Sequence, residues 1–471
     1  MKLYKEFSVE SPLILSLLAS QNIESQSLQI EDFNKICTFA FETQNVEERN
    51  NTFAEIAQIL ELCSENSQGS INIYLDFFFK QTNTQQVISL LMDSLDNPIL
   101  ICHIFRILTS QLRLERDSAQ KFYTEEYLSE NGLKINQVLV HIIYGIAEGG
   151  IPTSELPISF VQQYPYTAIS IYNFLQELFN FQLEAEFMQD LWTFYIAGLK
   201  STNIDVINAT FNSLSKVFFI SNRMHLIIFE NDFHLEAWKH IRQMDECLPF
   251  ACTFLQKFYT QASNLWIPDD MWTIFLQIFQ TNENYSYHAL KLMKVLLNTL
   301  DEHDLIEGNI VEDNLNQEIK ITNTRSKIHS FFFKIMDQIY ELSEESTFEM
   351  KVLVLEILLS EFECCKRGRT DVIIQYFEEK FGSFDPLLSL IETEDDHILY
   401  TFLIDSFLWI IMKDSEEYAE WKQRIIRLLR ASPGLREIIF QYTKSAPSEQ
   451  INEASTSIYE IAYKEEEDGD D

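Results

Sequence analysis

The side chains with the most chemical capacity in this sequence are a run of imidazoles and thiols: His225, His234, His240, Cys247 and Cys252. A zinc site draws on such donors, and local sequence usually delivers them as CxxC on a turn or as histidines one helical turn apart. No pair in the run stands at CxxC or HxxxH spacing. The spacing therefore predicts buried thiols, surface imidazoles and no metal. Cys364 and Cys365 are adjacent and precede Lys366-Arg367-Gly368-Arg369. Cations beside a thiol lower its pKa, so a reactive cysteine is one reading. A helix end with cations near its free carbonyls is the plainer one. Gly149-Gly150 lacks the later Gly, the Lys and the preceding strand of a phosphate-binding loop. No GxSxG motif occurs. With 72 Asp and Glu residues, pairs of carboxylates are everywhere and identify no general acid or base. The expectation is a non-enzymatic protein with no cofactor.

Two basic features stand against the acidic background. One is Lys366-Arg367 with Arg369. The other is Lys422, Arg424, Arg427 and Arg430, of which the last three lie at i, i+3 and i+6 and form one stripe on a helix. Either could hold an acidic partner segment. Pairing with neighbouring acidic helices of the same chain is the simpler use.

The elements that must position these residues are helices. Four stretches repeat one pattern of short apolar helix, polar turn and longer apolar helix. They begin at Ile88, Asp190, Met271 and Pro386, with turns near Asn97, Asn203, Asn282 and Asp395. No single pair of this kind can bury its apolar faces, and a row of pairs can. The turn separations are roughly two to three times the ~40-residue period of helical-repeat units, which predicts about nine to eleven units with inserted loops. The best insertion is Asp301–Asn316, acidic and weakly patterned. Asp269 and Asp270 read as a helix start, where a carboxylate accepts from free amide groups. Pro98 and Pro386 read as first-turn prolines, whose missing N–H costs nothing there. Glu465–Asp471 is a charged tail with nothing to bury, expected to be disordered.

Composition agrees with this architecture. Gly 11 and Pro 10 are few for 471 residues, whereas β-rich folds need many such turn residues. A hydrophobic fraction of 46% suffices for a continuous core. The net charge of −37 repels nucleic-acid phosphates and anionic lipid and favours basic partners. Seven cysteines without framework spacing read as reduced thiols, which points to a cytoplasmic or nuclear location. The apolar stretch Pro12–Leu18 is short and preceded by Glu6 and Glu10, so it reads as a first helix and not as a secretory signal. No uncharged apolar run approaches the ~18 residues of a membrane span.

At the four repeats the chain resembles the armadillo/HEAT superfamily. In armadillo proteins such as importin-α, a W-A-L-S-N-like motif on the third helix of each unit faces a concave groove. The stretches that align with it are Arg106–Ser110, Asn212–Lys216 and Lys294–Asn298. The Leu matches in each, the Trp is replaced by Arg106, Asn212 and Lys294, and only Asn298 matches the Asn. The resemblance implies an all-α, right-handed α-solenoid over residues 1–463 with an acidic tail at 464–471. It implies a concave groove lined by Arg106, Ser110, Asn212, Lys216, Lys294 and Asn298 that holds an extended peptide segment of another protein. The stripe Arg424, Arg427, Arg430 is a second candidate surface. A scaffold or adaptor is the function this implies. An importin-α-like transport adaptor is one alternative, since the last helix and acidic tail are similar to an importin-α end. A regulatory subunit of a phosphatase-type complex is another.

Overall fold

Short polar turns decide where the helices of this protein start. The side chain of Asn203 accepts from the backbone N–H of Asp205 at 2.9 Å and of Val206 at 3.4 Å, and Asn97 accepts from Leu100 N–H at 3.2 Å. Asn45 serves Glu47 and Glu48 in the same way, and Ser448 serves Ile451. Each side-chain oxygen satisfies a donor that a first helical turn leaves free. Pro98 stands at the first position of its helix, as its ring geometry favours.

The computed structural model describes residues 23–65, 74, 78, 84–114, 134–144, 155–179, 191–218, 224–261, 268, 270–281, 283–306, 347–366, 372–390, 404, 406–409, 411–412 and 416–464. Among them every regular element is helical. The expected first helix at Pro12–Leu18, the turn near Asp395, Arg367, Arg369 and the tail Glu465–Asp471 lie outside the described residues. So does most of the expected insertion; its first part, Asp301 to Ile306, continues a helix. The chain divides into two compact units: residues 1–240 with 245–261, and residues 241–244 with 262–471.

The first unit contains α1 (Ile23–Glu42), α2 (Val46–Glu65), α3 (Thr84–Asp93), α4 (Pro98–Leu114), α5 (Ile135–Tyr144), α6 (Glu155–Gln163), α7 (Pro165–Leu178), α8 (Trp192–Leu199), α9 (Ile204–Val217), α10 (Met224–Glu230), most of α11 (Phe233–Gln243), and α12 (Leu248–Gln261). The helices α2, α4, α7, α9 and α12 pack side by side in that order, each on the next. A second file, α3, α5, α6 and α8, does the same, and α3, α6 and α8 each also touch the helix that follows them in sequence. Residues Leu100 to Leu112 of α4 are consequently all buried.

Aromatic rings and small residues close these contacts. Tyr172 of α7 stacks on Phe194 of α8 at 4.3 Å between centroids, and its hydroxyl donates to the Phe194 carbonyl at 2.6 Å. Tyr195 of α8 pairs with Ser213 of α9 at 2.7 Å. Gly198 leaves room where α8 meets α7 and α9, because a Cβ there would run into Thr210 Oγ1 and the Tyr172 hydroxyl. A buried Tyr keeps its polar tip satisfied only if such an acceptor is placed for it.

The second unit contains α13 (Met271–Thr281), α14 (Glu283–Ile306), α15 (Phe348–Lys366), α16 (Val372–Lys380), a 3₁₀ turn (Asp385–Leu390), α17 (Glu416–Arg430), α18 (Pro433–Lys444), α19 (Glu449–Tyr459) and a closing π-helical turn (Glu460–Lys464). Packing follows chain order from α13 to α19. Pro386 opens a 3₁₀ turn instead of the expected α-helix. Asp385 explains the difference: its two carboxylate oxygens accept from Gly434 and Leu435 N–H, so it anchors the start of α18. Phe362, Phe384 and Phe407 pack against one another, with Phe384 next to this turn in sequence. Asp270 stands directly before α13, at the expected helix start, and its carboxylate is also gripped by Arg242 at 2.8 and 3.0 Å, which holds its carboxyl below the usual carboxylate range.

Candidate functional site

Two members of the expected ladder, Arg106 and Ser110, are buried inside the first unit. Arg106 is 4% exposed. Its guanidinium donates to both carboxylate oxygens of Glu61 on α2, Nε at 2.7 Å and Nη2 at 2.5 Å, and its Nη1 donates to His103 Nδ1 at 3.2 Å. Burial, with Arg106 beside it, pushes the His103 imidazole down to about 3. This is a bidentate tie between neighbouring helices, closed to a ligand. Ser110 is fully buried and donates to the Arg106 carbonyl one turn back. Lys294 of α14 pairs with Glu356 of α15 at 2.8 Å. Asn298 lies on α14, with its side chain outside the described residues. Asn212 and Lys216 of α9 do reach solvent, both half-buried.

These two belong to a strip that the motif alignment missed in part. On α9 the half-buried positions are Asp205, Asn208, Asn212 and Lys216, with exposed Ile204 at the end; every other residue of the helix is buried. Steps of three, four and four residues keep one face of a helix in view. The Oδ1 atom of Asn208 is shielded from solvent and has no hydrogen-bond partner. On the adjacent α7, Asn173, Gln176 and Glu177 are the half-buried residues of the last two turns, and Glu177 accepts from Arg113 of α4 at 2.9 Å. The signal for the α9 strip was the polar spacing at 205, 208, 212 and 216 within an apolar helix.

The stripe Arg424, Arg427, Arg430 ties α17 to its own neighbours. Arg424 and Arg427 approach the two oxygens of Glu378 on α16 at 2.8 and 3.4 Å, and Arg430 Nε donates to the Ala462 carbonyl at 2.6 Å. Pairing with an acidic helix of the same chain, the simpler of the two sequence readings, describes these contacts.

The imidazole and thiol run separates. His234 is stacked between Phe229 and Phe258, and Cys252 is buried in the core. The side chain of His225 and those of Cys364, Cys365 and Lys366 lie outside the described residues. His240 and Cys247 are brought together by the turn between α11 and α12. His240 Nδ1 lies 2.7 Å from Asp245 Oδ2, and Asp245 Oδ1 accepts from Cys247 N–H at 2.9 Å. Burial, with Asp245 next to it, pushes the Cys247 thiol up to about 12. A nucleophilic cysteine needs the opposite shift, so a cysteine–histidine catalytic pair does not fit these residues.

No family model matches this sequence, and no curated protein does. Among solved structures, an engineered protein from a structural genomics consortium superposes with a TM-score of 0.42 at 11% identity, over 91% of this chain and 98% of its own. Likeness at that level assigns neither fold nor function.

Proposed function

We propose that this chain is a non-enzymatic scaffold or adaptor of the armadillo/HEAT kind. In this reading its helices form a right-handed α-solenoid whose concave face holds an extended segment of another protein. The two files of side-by-side helices in the first unit are the arrangement such a repeat requires. The observation that carries the binding reading is the α9 strip, the one solvent-facing side of an otherwise buried helix, which offers amides at Asn208 and Asn212 and a cation at Lys216. Asn side chains suit main-chain recognition, because an amide can donate to a peptide carbonyl and accept from a peptide N–H.

The test is affinity purification of the full chain alongside Asn208→Ala/Asn212→Ala/Lys216→Glu. The expected result is a stoichiometric partner polypeptide with the parent and its loss from the triple variant, with both melting at the same temperature. Retention of the same partner by the triple variant would remove the strip as the binding face. A stoichiometric catalytic phosphatase chain among the partners would make the protein a regulatory subunit.

A further inference from the structure

Three donor atoms of different chemistry converge at the α11–α12 turn. His240 Nδ1 comes from the last turn of α11, the Asp245 carboxylate from the connection, and Cys247 Sγ from the residue before α12. These ligand atoms lie within 4.8 Å of one another. His240 is 6% exposed and Cys247 1%, while the Asp245 side chain is 30% exposed. The cluster is therefore closed on the imidazole and thiol side and open to solvent on the carboxylate side.

From this convergence we infer a mononuclear site for a borderline divalent cation of the Zn²⁺ or Co²⁺ type, ligated by His240 Nδ1, Asp245 and Cys247, with the remaining position open to water. The donor set is nitrogen, oxygen and sulfur, which suits such ions better than Mg²⁺ or Ca²⁺. Sequence spacing hid it, because the pattern is H-x₄-D-x-C and its middle ligand is one acid among 72 acidic residues. Asp245 is the hub of the cluster, with one oxygen at His240 Nδ1 and the other accepting from Cys247 N–H. Metal binding replaces those contacts. The Cys247 thiol gives its proton to solvent as the S–metal bond forms, and His240 binds through the Nδ1 lone pair in place of its contact with Asp245. The ion's two charges are balanced by thiolate and carboxylate.

The experiment titrates chelator-treated full-length protein with Co²⁺, following thiolate-to-cobalt charge-transfer absorption. One equivalent of Co²⁺ should saturate the absorption, and Zn²⁺ should bleach the signal. Cys247→Ser should abolish the charge-transfer band. Asp245→Asn, at a solvent-accessible position that leaves the core intact, should weaken Co²⁺ binding by at least about tenfold. Circular dichroism checks that each variant keeps its helix content. Absence of the band in the parent protein would overturn the site. So would a band that survives Cys247→Ser, which places the metal on other cysteines, or an unchanged affinity in Asp245→Asn.

Discussion

Arg106 shows how much a single residue's meaning depends on its partner. Its guanidinium is buried and its acceptor, Glu61, sits 45 positions earlier on a different helix. Removing one member of such a pair strands the other, which costs about 3 kcal/mol or more. Arg106→Ala should lower stability by that order in urea unfolding. Arg106→Met combined with Glu61→Leu should recover most of the loss, because two apolar groups of similar volume leave no charge behind. His103 adds a pH dependence. Its folded pKa of about 3 lies below the unfolded value of about 6.5, so between these limits the unfolded chain binds a proton that the folded chain refuses. The His103 contribution is complete above the unfolded pKa and is lost as pH falls, by at most about 1.4 kcal/mol per pH unit. Between about pH 6.5 and the carboxylate range near about pH 4, the parent should lose stability more steeply than His103→Gln, as read from denaturation midpoints.

At the scale of elements, α8 and α9 depend on one gap and one cap. Gly198→Ala forces a methyl into Thr210 and the Tyr172 hydroxyl, whose donation to Phe194 gives that ring little freedom to retreat. A cost of about 1–3 kcal/mol follows from overpacking of this kind. Asn203→Ala removes the acceptor for two N–H groups and should cost about 1 kcal/mol. Thermal melts of the two variants would check this ranking, and a neutral Gly198→Ala would mean that α8 can shift. The turns near Asn97 and Asn203 were legible in the sequence, because a polar Asn between two apolar periods has one good role. The helix start after Asp270 was legible in the same way, but the pairing of its carboxylate with Arg242, 28 positions earlier, was not.

Over the whole molecule, charge is the largest single fact. A surface at −37 repels itself in the folded state more than in the expanded chain. Raising ionic strength from about 0.01 M to about 0.1 M shortens the screening length from about 30 Å to about 10 Å. The melting temperature should rise with salt across that range, since exposed ion pairs such as Lys35–Asp32 contribute too little to offset the relief. A melting temperature that falls would mean that attractive pairs dominate. No helix among the described residues is long and apolar enough to cross a membrane.

The sequence alone determined the helical class, because apolar period and scarcity of Gly and Pro act locally. It also determined the pairing of α3 with α4 and α8 with α9 across short polar turns, and the sign of the surface charge. Tertiary structure decided which side of each helix meets solvent. A polar residue at a given helical position can face a groove or a partner on the next helix, and its own neighbours in sequence are the same in both cases. Arg106 and Asn212 occupy the same place in the aligned motifs, yet one is buried against Glu61 and the other reaches solvent, because the rotation of each helix is set by the helices packed on either side. His240, Asp245 and Cys247 meet for the same kind of reason. The left-handed backbone at Met244, φ 49°, turns the chain back at the end of α11, and that turn brings together donors whose spacing in sequence resembles no familiar pattern.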